Sequence, residues 1–344
     1  MLALGLFDPV AAFEPAEEKV AFSSGGLTFE SRLTVPPARA NGWGVLLVGG
    51  GLANDLDWRI PPAVALDPAG PGDAAVLAEA LAAKGFHVLR WSTLAVEDPI
   101  RDAYPERAAP RTEEELLAQT AAAIEALALR AGIEGRRVLL VGYSLGARRG
   151  ILAGAGHPRV HGVCCLAGAG LARLAADREG ATELRARAKE LLAASDANGD
   201  GVLDGEEAAG AGNGLSDHDG FPGLREWELA ASLGIALRSS GAWRVTDPGA
   251  WPEDRVGELA EVFYIGGAHD WQSQQGALLR HAAPGKVRLA YVDGLGHTLG
   301  GEVDGKFGRI SSEVVQRVSE WARSVAEEGA DREPPVEGGR GASP

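Results

Sequence analysis

The sequence predicts an α/β protein with a mostly parallel central sheet, and three observations predict it. Short apolar, β-branched runs alternate with longer Ala- and Leu-rich stretches of helical period, as strands joined by crossover helices do. The two runs that open the chain instead alternate apolar and polar residues across Gly25-Gly26, the pattern of an antiparallel hairpin. One connection, roughly Leu171–Glu258, is far longer than an ordinary strand-to-strand link and changes composition, so it reads as an insertion.

The elements follow in order. Lys19–Ser23 and Leu27–Val35 form the opening hairpin. The buried-strand candidates are Val45–Val48, His87–Trp91, Val138–Val141, Gly162–Leu166, Val262–Ile265 and Val287–Val292. Asp73–Lys84 reads as a helix stopped by Gly85, a C-terminal signal. Thr112-Glu-Glu-Glu115 is a capping box that opens a helix running to about Arg130. Pro99–Arg111, rich in proline and charge, is a long loop, and Ser311–Ala326 is a closing amphipathic helix. The expected organisation is a core of residues 1–170 and 259–326, an inserted, mainly helical unit over 171–258, and a disordered tail over 327–344.

Composition narrows the partners. The formal charge of −15 excludes nucleic acid as the expected partner, because phosphate affinity comes from clustered Lys and Arg. It also disfavours an anionic membrane surface. No apolar run reaches the ~20 residues that span a bilayer. The apolar start, Met1–Phe7, lacks the basic flank of a signal peptide, which makes a cytoplasmic home the default, while the calcium loop over 196–207 would suit an extracytoplasmic one and leaves location open. Cys164 and Cys165 are adjacent and cannot build a disulfide framework.

The chemistry-bearing motif is Gly142-Tyr-Ser144-Leu-Gly146. It follows the buried run Val138–Val141 directly and opens a helical stretch. A sharp strand-to-helix turn exposes a serine hydroxyl at a helix N-terminus, and the residues two before and two after must lack bulk. Ser144 is therefore the candidate nucleophile. A serine needs a base, and the base needs an orienting carboxylate. In such strand–turn–helix sites the partners follow in the order Ser, acid, His. Asp270 ends the run Val262–Gly267 and Ala268-His269, and His297 lies in a Gly-flanked loop after Val287–Val292. Asp293 is the reserve acid and His269 the rival base. One oxyanion donor should be the Leu145 N–H, the other an N–H of Gly49-Gly-Gly51, with Gly51 the candidate.

On these residues the chain resembles the α/β-hydrolase superfamily outside the insertion. More narrowly it is similar to bacterial hydrolases related to dienelactone hydrolases and acyl-aminoacyl peptidases. Gly49-Gly-Gly-Leu-Ala-Asn54-Asp55-Leu-Asp57 has the layout of their loop after the third strand, although Gly49 stands where histidine is usual. Gly266-Gly-Ala-His-Asp270-Trp-Gln272 is similar to their acid-bearing turn, and Gly296-His297 to their base-bearing loop. Arg90-Trp91-Ser92 departs from the usual basic–aromatic–acidic stretch. The resemblance implies a serine acyl hydrolase, not a particular ester, with the insertion as a lid; Trp227, Trp243 and Trp251 are candidates to line an acyl pocket, lid core being the commoner role for tryptophan.

The insertion carries a second motif. Asp196-Ala-Asn198-Gly-Asp200-Gly201-Val202-Leu203-Asp204-Gly-Glu-Glu207 matches the EF-hand loop at every fixed position. Asp196, Asn198, Asp200, the Val202 carbonyl, Asp204 and Glu207 would supply oxygen to calcium, with Leu203 as the apolar anchor. Leu215–Glu226 keeps the spacing but has leucine at the first ligand position. Residues 190–224 hold eight acidic side chains and no Lys or Arg, which concentrates about half the net charge here. The expected function is cleavage of carboxylic esters, small-molecule acyl esters being the partner, with calcium ordering the lid and no cofactor needed for the chemistry. A peptidase or thioesterase would use the same machinery. The rival from another class is a non-catalytic calcium-binding protein on the same scaffold.

Overall fold

The structure is a computed structural model; it describes residues 16–50, 55–60, 65–96, 113–168, 202–203, 236–237, 243–244, 252–270, 274–303 and 305–332. Eight strands form the central sheet: β1 (Ala16–Ser24), β2 (Leu27–Val35), β3 (Gly44–Val48), β4 (His87–Ala95), β5 (Val138–Tyr143), β6 (Val160–Leu166), β10 (Glu261–Gly267) and β11 (Val287–Val292). Their spatial order is β1-β2-β4-β3-β5-β6-β10-β11. The opening hairpin pairs Ser24 with Leu27 and Phe22 with Phe29, and β2 runs antiparallel to β4. From β4 to β11 every pairing is parallel, with α5 (Gln274–Ala282) between β10 and β11 in the chain.

The sheet is buried on both faces, which is why its central strands read as unbroken apolar runs. Leu46 and Val48 of β3 pack with Leu140, Val163 and Cys165 against α2 (Glu113–Ala131) and α3 (Leu145–Gly154). Val45 and Leu47 pack with Leu139, Val141 and Cys164 against α1 (Asp73–Ala82) and α6 (Ser312–Arg332). The two cysteines thus face opposite layers, both fully buried, and burial pushes both thiols up.

Several boundaries move. The core resumes at α4 (Pro252–Arg255) rather than at residue 259, since Val256 and Leu259 beyond it are both fully buried. The closing helix does not stop at 326. It runs to Arg332, carried by the i,i+4 pairs Arg323–Glu327 and Ser324–Glu328. Gly329 then passes Trp43, where a Cβ would lie 2.5 Å from the indole. The remainder of the expected tail lies outside the described residues.

One element was not expected. Between His297 and α6, β12 (Gly300–Val303) and β13 (Lys306–Ile310) form an antiparallel hairpin. Its sequence signal is Asp304-Gly305 between two strand-like runs, with Gly305 at φ 70°. Within the insertion the described residues are β7 (Val202–Leu203), β8 (Ala236–Leu237) and β9 (Trp243–Arg244), an antiparallel sheet in the order β7-β9-β8. The rest of the expected helical lid, and the loop over 99–111, lie outside the described residues. Among the described residues no helix is long and apolar enough to cross a membrane.

Candidate active site

Ser144 sits between β5 and α3 with φ 52° and ψ −120°, a conformation that costs a non-glycine residue of order 1–3 kcal/mol. The turn is held at both ends. The Ser144 N–H donates to Leu166 O at 2.8 Å, and the Ala147 N–H to Ser144 O at 3.0 Å. The flanking glycines are sterically required. A Cβ on Gly142 would lie 2.4 Å from Gly146 O, and one on Gly146 would lie 2.1 Å from Val48 O. The motif thus closes around the end of β3 as well as on itself.

Asp270 follows β10 in a turn closed by its own N–H on Gly267 O at 3.1 Å. Its side chain has no solvent exposure. The loop after β11 is stitched to this turn: the Ala268 N–H donates to Val292 O and the His269 N–H to Leu295 O. Gly267 permits the approach, since a Cβ there would meet Leu295 O at 2.2 Å. His297 is thereby delivered between the two other groups. Its Nδ1 lies 3.1 Å from Asp270 Oδ2, and its Nε2 lies 3.0 Å from Ser144 Oγ. The structure brings these three predicted residues together. His269 and Asp293, the alternatives, are both exposed. Leu145 opens α3, where the first backbone N–H groups have no intrahelical acceptor. Gly51 lies outside the described residues, but Gly50 is buried against the nucleophile turn. A Cβ on it would be 2.9 Å from Tyr143 O and 3.2 Å from Ser144 Cβ.

Three residues support this arrangement in ways the sequence did not indicate. Tyr143, the variable residue before the serine, donates its hydroxyl to His297 O at 3.2 Å. Its ring stacks on Trp58 and lies 5.7 Å from the imidazole. Burial pushes its phenol well up, so it stays a neutral donor. Arg90, in β4 and 2% exposed, donates to Asp57 Oδ1 at 2.9 Å, Glu17 Oε1 at 2.6 Å and Thr34 Oγ1 at 2.9 Å. It ties the segment after β3 to the sheet through Asp57, which also holds Arg59 at 2.9 Å. Asp73 opens α1 and accepts the Ile310 N–H at 2.9 Å, anchoring the unexpected hairpin. Burial pushes its carboxyl up to about 6, against the opposing pull of that hydrogen bond and Arg309. The bonds of Tyr143, Arg90 and Asp73 each join residues at least 33 positions apart, so no short motif marks them.

Of the expected calcium ligands, Asp196, Asn198, Asp200, Asp204 and Glu207 lie outside the described residues, as does Leu215–Glu226. Val202 and Leu203 form β7 and pair with Arg244 and Trp243. Among the described residues no group of three or more His, Cys, Asp or Glu is placed to hold a metal ion.

Neither a comparison with protein-family models nor one with curated protein sequences finds a match. Solved structures do match. An α/β hydrolase, GrgF from Penicillium sp. sh18, is 15% identical with a TM-score of 0.55, over 90% of this chain and 98% of its own. Est1E from Butyrivibrio proteoclasticus is 13% identical with a TM-score of 0.52, over 91% and 99%. The esterase domain of a Rhodothermus marinus protein is 15% identical with a TM-score of 0.50, over 90% and 99%. With the strand order above, these similarities establish that the chain has the α/β-hydrolase fold.

Proposed function

We propose that the protein is a serine hydrolase that cleaves carboxylic esters through an acyl-enzyme intermediate. The observation that carries this reading is the relay Ser144 Oγ–His297 Nε2–His297 Nδ1–Asp270 Oδ2, at 3.0 and 3.1 Å, on a serine held at φ 52°. Ser144 Oγ attacks the acyl carbon while Nε2 of His297 takes its proton. Asp270 accepts the Nδ1–H bond and stabilises the imidazolium. The Leu145 N–H, with Gly51 as the proposed second donor, receives the charge that develops on the carbonyl oxygen. The imidazolium returns the proton to the departing alkoxide. Water, deprotonated by the same nitrogen, then releases the acid and restores Ser144. The esterase domain among the similar solved structures supports this reading.

The test is a fluorophosphonate probe, which phosphonylates an activated serine. The folded protein should label at one equivalent, and Ser144→Ala should remove the label without lowering Tm. Folded protein that does not label sinks the enzyme reading and leaves the binding-protein alternative.

Calcium at Asp196, Asn198, Asp200, Val202, Asp204 and Glu207 belongs to the same proposal, as a staple that orders the insertion. Its support is the loop's complete match in sequence and the short strand at its seventh and eighth positions. Excess EDTA should lower Tm, and added calcium should restore it, because a ligand that binds only the folded state stabilises it. An unchanged Tm removes calcium from the reading.

A further inference from the structure

The nucleophile helix carries two consecutive buried arginines, Arg148 and Arg149, that the chemistry above does not use. Arg149 is 7% exposed, and its Nη1 donates to Gly49 O at 3.2 Å. The same carbonyl lies over Gly146, where a Cβ would sit 2.5 Å from it. Gly49 therefore turns its C=O onto α3, between two residues one helical turn apart. In a trans peptide the C=O and the following N–H point in opposite directions, and among the described residues there is no cis bond. The Gly50 N–H is thus directed away from α3, while Gly50 itself lies against Ser144.

A peptide between two glycines has no side chain to fix its plane. Here the plane is set by a guanidinium, which stays charged and makes a bond roughly twice as strong as a neutral one. Donors preorganised beside a reacting carbonyl lower the barrier because they need no reorientation as charge develops.

On the serine-hydrolase reading, we propose that Arg149 is a positioning residue for acyl transfer. By holding the Gly49 carbonyl down on α3, it fixes the Gly49–Gly50 peptide in the orientation that the transition state at Ser144 requires. It touches no substrate atom and takes no proton.

The experiment compares Arg149→Met, Arg149→Lys and wild type on a p-nitrophenyl ester, with active sites counted by fluorophosphonate titration. Labelling of Arg149→Met should reach the wild-type stoichiometry, but more slowly. Its kcat per titrated site should fall about 10–100-fold with KM within about threefold, somewhat less than the loss of a direct oxyanion donor. Affinity for an alkyl boronic acid, a tetrahedral mimic, should weaken by a similar factor. Arg149→Lys, which keeps the buried cation, should recover part of the loss. A purely structural role predicts fewer titratable sites, each with wild-type kcat, and that result overturns the proposal. So does a lowered kcat with undiminished boronic acid affinity. Should Arg149→Met not fold, Arg149→Gln, polar but neutral, is read by the same criteria. Wild-type protein that does not label at all overturns the hydrolase reading instead, so the two failures are distinguishable.

Discussion

Asp270→Asn should lower kcat for ester hydrolysis about 10³–10⁴-fold at neutral pH, with KM near the wild-type value. The carboxylate lies 3.1 Å from His297 Nδ1 and has no solvent exposure; on the proposed mechanism it accepts from an N–H on that nitrogen and leaves Nε2 bare to take the serine proton. An amide of the same shape can instead present its NH₂ to Nδ1. That stabilises the other tautomer, in which Nε2 carries the hydrogen and cannot act as base. The substitution changes neither volume nor the surrounding turn, so Tm should stay close to wild type. Asp293→Asn provides the contrast. Asp293 follows the neighbouring strand, was the other acid the sequence offered, and is exposed. Its variant should retain full activity. A loss below tenfold for Asp270→Asn, or a larger loss for Asp293→Asn, would mean that the relay is not the working one.

What the sequence revealed, and what it hid, follows from the range of the interactions involved. The strands of the parallel sheet were legible because burial on both faces demands continuous apolar runs, and a run is a local feature. The nucleophile turn was legible because its steric demands fall on residues only two positions away. Asp270 and His297 were legible as candidates through their order along the chain and through the likeness of Gly266–Gln272 and Gly296-His297 to the turns of a known family. The Tyr143 bond to His297 O spans 154 residues and the Arg90 bond to Glu17 spans 73, so both are properties of the assembled sheet. The helix end at Arg332 was missed for the same reason. Glu327-Glu-Gly-Ala looked like the start of a polar tail, yet Gly329 is required there by Trp43, far away in the chain. The hairpin after His297 is a different kind of omission. Its turn signal was present, but its strands are short and mostly exposed, so they lack the continuous apolar runs that mark the central sheet.

Gly146→Ala should be among the most damaging single methyls that can be added near the site. The Cβ would lie 2.1 Å from Val48 O and 2.5 Å from Gly49 O, both backbone atoms at the end of a central strand. A flexible side chain could swing aside, but here either β3 or α3 must move. Alanine's better helix propensity, about 1 kcal/mol over glycine, is far too small to compensate. A forced backbone shift of this kind should cost about 3 kcal/mol or more, which shows as a large fall in Tm. The shift would also separate the Gly49–Gly50 peptide from Ser144, so whatever protein folds should label slowly with fluorophosphonate. Gly150→Ala, one turn further along the same helix, is the control. There the nearest atom is a Val163 methyl at 3.3 Å, a side-chain contact that can relax by a few tenths of an ångström. The same helix-propensity gain then acts against only a mild clash, so stability should change little and labelling not at all. If both variants behave alike, the close seating of β3 on the nucleophile helix is not what positions the serine. If only Gly146→Ala fails, the second glycine of the motif serves the end of β3 as much as it serves the turn.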